Sequence, residues 1–278
     1  MSELTVGIER WLEYTRPLVE VAESYSWSGD DKLQYFNFLK RAAVVRQTEA
    51  LKAMLAMVEH GHGHFGVTFL RPAYEELIWI EYLIKNEGVA NDIVILLAPL
   101  ETADNLNAQD EFAGPEGMKT IGFAPLFVKV FTAQAKRSAQ QLKVIGKALG
   151  WNMNMNRLPS TAWLSRKVGR HRDYKFLYHA TSRFVHFSAN ELYRRVWGKQ
   201  GSVTIGSTTF SDYWQDFALY WGFRLYVDLL IACEEVFRGI KLDDERFKEV
   251  AVWLEKFAQV PIITPEELKP WAAAPKGT

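Results

Sequence analysis

Apolar residues recur at helical spacing along nearly the whole chain, and this periodicity limits the possible folds more than any other feature. Between Lys32 and Glu59 they fall mostly three or four residues apart, at Phe36, Leu39, Ala43, Val44, Leu51, Leu55 and Val58. That spacing puts them on one face of an α-helix, whereas the alternating pattern of a half-buried strand is almost missing. The sequence therefore predicts an all-α protein, a multi-helix bundle of about eight or nine helices.

Capping residues and helix breakers indicate where the helices begin and end. Pro72 suits a first helical turn, so the third helix is expected to open at Arg71 and Pro72. The stretch Arg170–Val196 reads as one central helix, and the glycines that follow it predict a small β-hairpin insert. A single helical-bundle domain is expected over residues 1–260, with a peripheral C-terminal tail over 261–278.

Composition and charge narrow the class of protein. The 33 basic and 33 acidic residues balance, so no overall field favours nucleic acid, and any such contact must be local. The single Cys233 excludes an intramolecular disulfide and fits a reducing cytoplasm.

The most apolar stretch, Phe217–Ala232, contains Arg224 and Asp228, which we expect to form an internal ion pair. That stretch is too polar to span a bilayer, and no secretory signal is evident, so we expect a cytoplasmic protein without a membrane partner.

A polar stripe inside the apolar central segment is the strongest indication of a functional site. His179, Arg183 and His186 are spaced i, i+4 and i+7, so on a helix they share one face. The third helix carries Arg71 and Glu75 at i and i+4, again among large apolar residues. Because unpaired polar groups are costly to bury, we expect these two helices to face each other. The Glu75 carboxylate would then hold the His186 ring or pair with Arg183.

Two interpretations of this stripe stay open. In the first it is catalytic, because histidine acts as general acid or base and arginine stabilises a phosphoryl transition state, which suffices for metal-independent RNA cleavage. In the second it is a buried network inside a non-catalytic partner-binding or regulatory protein. Neighbouring basic and polar residues favour RNA or another polyanionic ligand. The candidate ligand-binding residues among them are Arg170, His171, Tyr178 and Ser182. We predict no cofactor.

The order of these polar residues resembles a known family. Arg71 and Glu75 on one helix are followed by the pattern Tyr178-x-x-x-Ser182-x-x-x-His186, then by a glycine-bearing hairpin and a long helix. This arrangement resembles a bacterial family of helical domains of unknown function. Because that family has no known function, the resemblance bears only on the fold and on the choice of residues.

The architecture also resembles the HEPN superfamily, small helical bundles found in toxins and phage-defence systems. Members carry an Arg-x4–6-His motif on a late helix, and Arg172-x6-His179 has that spacing. Many are ribonucleases that act as dimers, so the resemblance implies RNA as substrate, a homodimer, and Arg172 and His179 as catalytic residues. The chain departs from the pattern twice: the residue after the arginine is Asp173 where Asn is frequent, and His186 lies outside the motif.

The segment His60-Gly-His62-Gly-His64 offers a third interpretation. Alternate histidines on a flexible glycine backbone can place their imidazoles on one metal ion, which together with Glu75 would suit a metal-dependent hydrolase. The plainer interpretation is a glycine-rich helix stop followed by a mobile loop. Neither a His-x-x-x-His pair nor a pair of cysteines accompanies the segment.

Overall fold

A computed structural model describes residues 2–24, 34–151, 158–193, 195–199, 201–206, 210–237, 240 and 244–258. The described part is helical almost throughout, which confirms the predicted all-α bundle. Its α-helices are α1 (Glu3–Glu23), α2 (Gln34–Glu59), α3 (Val67–Lys85), α4 (Glu87–Thr120), α5 (Pro125–Ala148), α6 (Thr161–Val168), α7 (His171–Val185), α8 (Ala189–Tyr193), α9 (Ser211–Ala232) and α10 (Asp244–Glu255). Short 3-10 helices cover Gly63–Gly66 and Glu234–Phe237, and the predicted hairpin is formed by β1 (Val196–Lys199) and β2 (Ser202–Ile205). None of these described helices is both long enough and apolar enough to cross a bilayer.

The chain divides into two compact units. The first comprises Met1–Tyr25, Lys40–Ile78 and Gly169–Thr278, and the second comprises Ser26–Leu39 and Trp79–Val168. The single domain over residues 1–260 stays a prediction, and the predicted tail over 261–278 lies outside the described residues.

Helix α9 forms the centre of the first unit. It is apolar on most sides, as expected of a helix that is enclosed by others, and Phe217, Phe223 and Tyr226 are fully buried. Burial of a large apolar side chain contributes about 1.5–3 kcal/mol. The Tyr226 hydroxyl lies 3.2 Å from the hydroxyls of Thr15 on α1 and Thr48 on α2, so one buried phenol connects three helices.

Helices α4 and α5 form most of the second unit and pack along each other. Helix α4 is kinked at Gly114, whose φ of 66° is in the left-handed region that glycine adopts most readily. From the first part of α4, the Asn91 side-chain oxygen accepts the backbone N–H groups of Tyr35 and Phe36, at 3.0 and 3.3 Å. A residue distant in sequence therefore caps the start of α2.

Helix α3 begins earlier than the sequence predicts. It starts at Val67, directly after the first 3-10 helix, so the prediction that it opens at Arg71 and Pro72 is wrong. Because proline has no N–H, the carbonyl four residues earlier, at Thr68, has no helical donor, and the helix tolerates this loss. Arg71 and Glu75 consequently lie within the helix, one turn apart on the same side.

The central segment is not one helix. Helix α7 ends at Val185, and His186 follows it with an extended backbone of φ −121° and ψ 162°. The new helix α8 begins just beyond, where the Ser188 hydroxyl accepts the backbone N–H of Glu191 at 3.3 Å. Ser188-x-x-Glu191 has the sequence of a capping box, which favours a new helix start over continuation of α7.

Candidate functional site

Arg71 brings several of the predicted site residues together in the first unit. Its Nε donates to Oε1 of Glu75 at 3.2 Å, and its Nη1 lies 2.9 Å from Nε2 of His186. The guanidinium carbon is 5.5 Å from the centre of the Tyr178 ring on α7. We call Arg71, Glu75, Tyr178 and His186 the Arg71–His186 cluster. The third helix and the central segment therefore approach each other as predicted. Arg71 makes the contact with His186, and Glu75 bonds to Arg71 instead of to the imidazole.

The contact between Arg71 and His186 suits one form of the imidazole. A guanidinium has only N–H donors, so in a hydrogen bond across this contact Nη1 donates and Nε2 of His186 accepts. The form of the ring that can accept at Nε2 is the neutral tautomer with its proton on Nδ1. The His186 side chain is exposed, so this basic nitrogen lies at a solvent-facing position.

Glu75 maintains the charge of its neighbour. Burial opposes the charge on Arg71, but the hydrogen bond and the negative charge of Glu75 outweigh it, so the pKa of Arg71 is raised. Burial, reinforced by the charge of Glu75, also raises the pKa of Tyr74. The buried Tyr74 hydroxyl has no hydrogen-bond partner among the described residues. The phenol therefore stays protonated while the guanidinium stays charged.

A small cleft lies between α3, α7 and α9 in the same unit. Its lining carries charges of both signs: Arg170 pairs with Asp228 at 2.7 Å and approaches Asp173 at 4.0 Å. The salt bridge of Asp228 is thus with Arg170, whereas Arg224 donates to the Tyr220 hydroxyl at 3.2 Å and is reached only by the charge of Asp228. The cleft has a volume of about 10 Å³, which is room for one water molecule.

The residues that the HEPN resemblance implies lie on the exposed side of α7. Arg172 and His179 are both exposed, with exposed Lys175 between them, and we call these three residues the α7 basic face. The seven residues from Arg172 to His179 rise about 10 Å along the helix. The expected common face of His179, Arg183 and His186 is not formed, because α7 ends before His186.

The other candidates on α7 make separate contacts. The Arg183 guanidinium lies 4.6 Å from the centre of the Trp214 ring on α9, a cation–π contact. His171 is stacked with Tyr174, with 6.0 Å between the ring centres. Ser182 is half-buried, and its backbone carbonyl accepts the N–H of His186, the residue just after the helix, at 3.0 Å.

The three histidines of the glycine-rich segment do not form the predicted chelate. Nδ1 of exposed His60 is 2.8 Å from the Ala56 carbonyl oxygen, whereas His64 is buried with its ring centre 4.2 Å from that of Phe65. His62 is exposed. Across the described ranges, no group of three or more His, Cys, Asp or Glu side chains is arranged to hold a metal ion. The described residues therefore provide no set of ligands for a metal-dependent hydrolase, with or without Glu75.

Several residues that the sequence does not single out contribute to the surroundings of the site. Tyr74 stands three residues after Arg71 on α3, so helical spacing gives a usable signal for it. Trp214 has no such signal, because its contact with Arg183 depends on how α9 packs. Asp228 is marked in the sequence only as a partner for Arg224, and its pairing with Arg170 depends on the same packing. The pair of Arg170 and Asp228 joins positions 58 residues apart.

One known family matches the region that carries the site. Residues 38–202 match DUF5677, a family of unknown function, and this stretch is more than half of the chain. It contains every member of the Arg71–His186 cluster. No curated protein and no solved structure matches the chain.

Proposed function

Because the chain belongs to DUF5677, a family of unknown function, we propose its function from the site: a metal-independent ribonuclease whose active site is the Arg71–His186 cluster. One observation carries the proposal, the 2.9 Å contact between Nη1 of Arg71 and the accepting Nε2 of exposed His186. This contact places a permanent cation beside a neutral base. A base and a positive charge are the two kinds of group that accelerate cleavage of an RNA phosphodiester without a metal.

In the proposed reaction, a phosphate of RNA draws Arg71 away from His186. Charge-assisted bonds from guanidinium to phosphate are stronger than a bond to a neutral imidazole, so the exchange is favourable. Nε2 of His186 then takes the proton of the 2′-hydroxyl, whose oxygen forms a bond to phosphorus. The bond from phosphorus to the 5′-oxygen breaks, and that oxygen takes a proton from water. The hydroxide that remains takes the proton from His186 and restores the neutral base. The products are a 2′,3′-cyclic phosphate and a 5′-hydroxyl end, while Glu75 keeps Arg71 oriented.

A distant relationship to the HEPN superfamily is part of the same proposal. Under it, Arg172 and His179 on the α7 basic face are an alternative catalytic pair for the same reaction, and a homodimer is the expected form. The spacing and the exposure of these two side chains support this alternative. We propose a bacterial, cytoplasmic protein that acts in phage defence or a stress response.

Cleavage of a single-stranded RNA oligonucleotide by the purified full chain, with EDTA present, tests the activity. The wild-type protein should produce 2′,3′-cyclic phosphate ends. His186→Ala and Arg71→Gln should each lower the rate by about 100-fold or more. His60→Gln is the matched control, because it removes an exposed histidine outside the cluster and should keep the full rate. An oligonucleotide with 2′-deoxyribose at the cleavage site should stay intact, since it lacks the nucleophile.

The same assay separates the two candidate pairs. If Arg172→Gln and His179→Ala remove cleavage while His186→Ala retains it, the reaction belongs to the α7 basic face. If wild-type protein leaves the RNA intact, the ribonuclease proposal fails for both pairs. Circular dichroism of each variant establishes that a lost rate does not come from a lost fold.

A non-catalytic partner-binding or regulatory protein is the second candidate function. The observation that favours it is that Arg71 already donates hydrogen bonds to Glu75 and His186, while the cleft lined by Tyr74 has room for only one water. The Arg71–His186 cluster would then have a structural role and hold α3 and α7 together. On this proposal His186→Ala lowers the melting temperature and changes no activity, so thermal unfolding beside the RNA assay distinguishes the two functions.

A further inference from the structure

A groove between α1 and α10 in the first unit contains none of the residues of the Arg71–His186 cluster. Each helix contributes positions spaced i, i+3, i+4 and i+7, from Gly7 to Tyr14 on α1 and from Arg246 to Trp253 on α10. That spacing is one face of a helix, so two whole helix faces form the groove. Its volume of about 420 Å³ lies within the range of small-molecule sites.

Rigid aromatic rings form the walls of this groove. Trp253 packs directly on the backbone of α1, because a Cβ at Gly7 would lie 2.1 Å from its indole ring. Phe257, with its ring centre 5.0 Å away, supports the same indole. Trp11 is buried, and its indole N–H has no hydrogen-bond partner among the described residues. The half-buried rings of Trp253 and Tyr14, held in place in this way, offer planar surfaces for stacking at little entropic cost.

The charged groups of the groove are mainly cationic. Its lining includes the exposed side chains of Arg10 and Arg246, against the one carboxylate of Glu249. The Arg246 guanidinium lies 4.5 Å from the centre of the Tyr14 ring, and this cation–π contact orients its planar fork of donors. Oriented guanidinium groups bind phosphate through paired, charge-assisted hydrogen bonds.

We propose that this groove binds a nucleoside monophosphate, with the base stacked on the aromatic wall and the phosphate held by Arg10 and Arg246. Free phosphate would make no stacking contact with the rings, and an apolar ring without an anion would make no charge-assisted bond to the guanidinium groups. The excess of guanidinium over carboxylate disfavours a cationic ligand. The site does not depend on the ribonuclease proposal, since it uses other residues.

Isothermal titration of the full chain with AMP tests the site, with adenosine and inorganic phosphate as separate probes. AMP should bind at least about tenfold more tightly than either probe, because only AMP engages both the rings and the guanidinium groups. Arg10→Gln and Arg246→Gln should each weaken AMP binding by about tenfold. Arg16→Gln is the matched control, because this exposed arginine lies on the same helix, pairs with Glu13 and is outside the groove.

Three results would overturn the assignment: no AMP binding at millimolar concentration, equal affinities for AMP and inorganic phosphate, or the same affinity in the Arg10→Gln and Arg246→Gln variants as in Arg16→Gln. His186→Ala should bind AMP as the wild type does. Loss of RNA cleavage without loss of AMP binding would therefore separate this site from the proposed active site. Matching melting temperatures of the variants would exclude misfolding as the cause.

Discussion

His64 is 8 % exposed, and neither ring nitrogen has a hydrogen-bond partner among the described residues. Burial, followed by the charges of Arg195 and His62, lowers its pKa below the ordinary value of 6.5. In the unfolded chain the ring takes up a proton as the pH falls through 6.5, whereas the folded protein keeps it neutral to a lower pH. The unfolded state binds more protons in that window, so the free energy of unfolding should decrease as the pH falls from about 7 towards the lowered pKa.

Urea unfolding at a series of pH values between neutrality and mild acid measures this dependence. His64→Leu should lose less stability over that range than the wild type, because it removes the titrating group and keeps a buried apolar side chain. His60→Gln removes an exposed histidine and should retain the wild-type dependence. Identical pH profiles for the wild type and His64→Leu would contradict the prediction.

Individual site residues were predictable where a polar side chain interrupts an apolar helical pattern. Arg71 and His186 both meet that criterion, although they stand 115 positions apart. Their geometry was not predictable, because the pattern places His186 on a continuous helix with His179 and Arg183. The cap at Ser188 ends that register and leaves His186 on extended backbone, where its ring meets Arg71. A capping box was present in the sequence and is the signal that would have moved the helix end.

At the scale of helices, Tyr226 joins α9 to α1 and α2 through a single buried hydroxyl. Tyr226→Phe removes this hydroxyl and should lower the free energy of unfolding by about 1 kcal/mol, the usual net contribution of a buried hydrogen bond. The loss stays moderate because Thr15 and Thr48 keep backbone carbonyl acceptors, at 3.0 and 2.8 Å. Urea denaturation measures the change, with Tyr35→Phe at a 44 % exposed position as the control. If Tyr226→Phe were as stable as the wild type, the hydroxyl would contribute nothing to the free energy of unfolding.

Helix identity was predictable from periodicity, and helix boundaries were less so. Long amphipathic runs such as α2 and α5 follow directly from spacing, because their apolar faces must be buried. The start of α3 was not predictable in this way, since Pro72 resembles a start signal and tertiary packing carries the helix through it. Local propensity is only one influence on where a helix begins, and the 3-10 helix directly before α3 packs against α9.

For the whole molecule, balanced charge means that any attraction to RNA must come from a local surface. The chain carries 33 basic and 33 acidic residues, so its long-range field is weak. The exposed α7 basic face is such a local surface, with Arg172 and Lys175 near the Arg71–His186 cluster in sequence. Exposed Lys136 and Lys143 on α5 form an equally charged pair in the other unit. The two pairs therefore offer a comparison at constant net charge.

Replacing Arg172 and Lys175 by glutamine should weaken binding of single-stranded RNA and flatten its salt dependence. Each lost phosphate contact lowers the slope of log affinity against log salt by about 0.7, so the double variant should lower it by about 1.4. Fluorescence anisotropy over a salt series, in a His186→Ala background that leaves the RNA intact, measures the slope. Lys136→Gln with Lys143→Gln changes net charge by the same amount and should keep the original slope. Equal flattening by both double variants would mean that RNA responds to net charge alone, and the α7 basic face would then have no special part in binding.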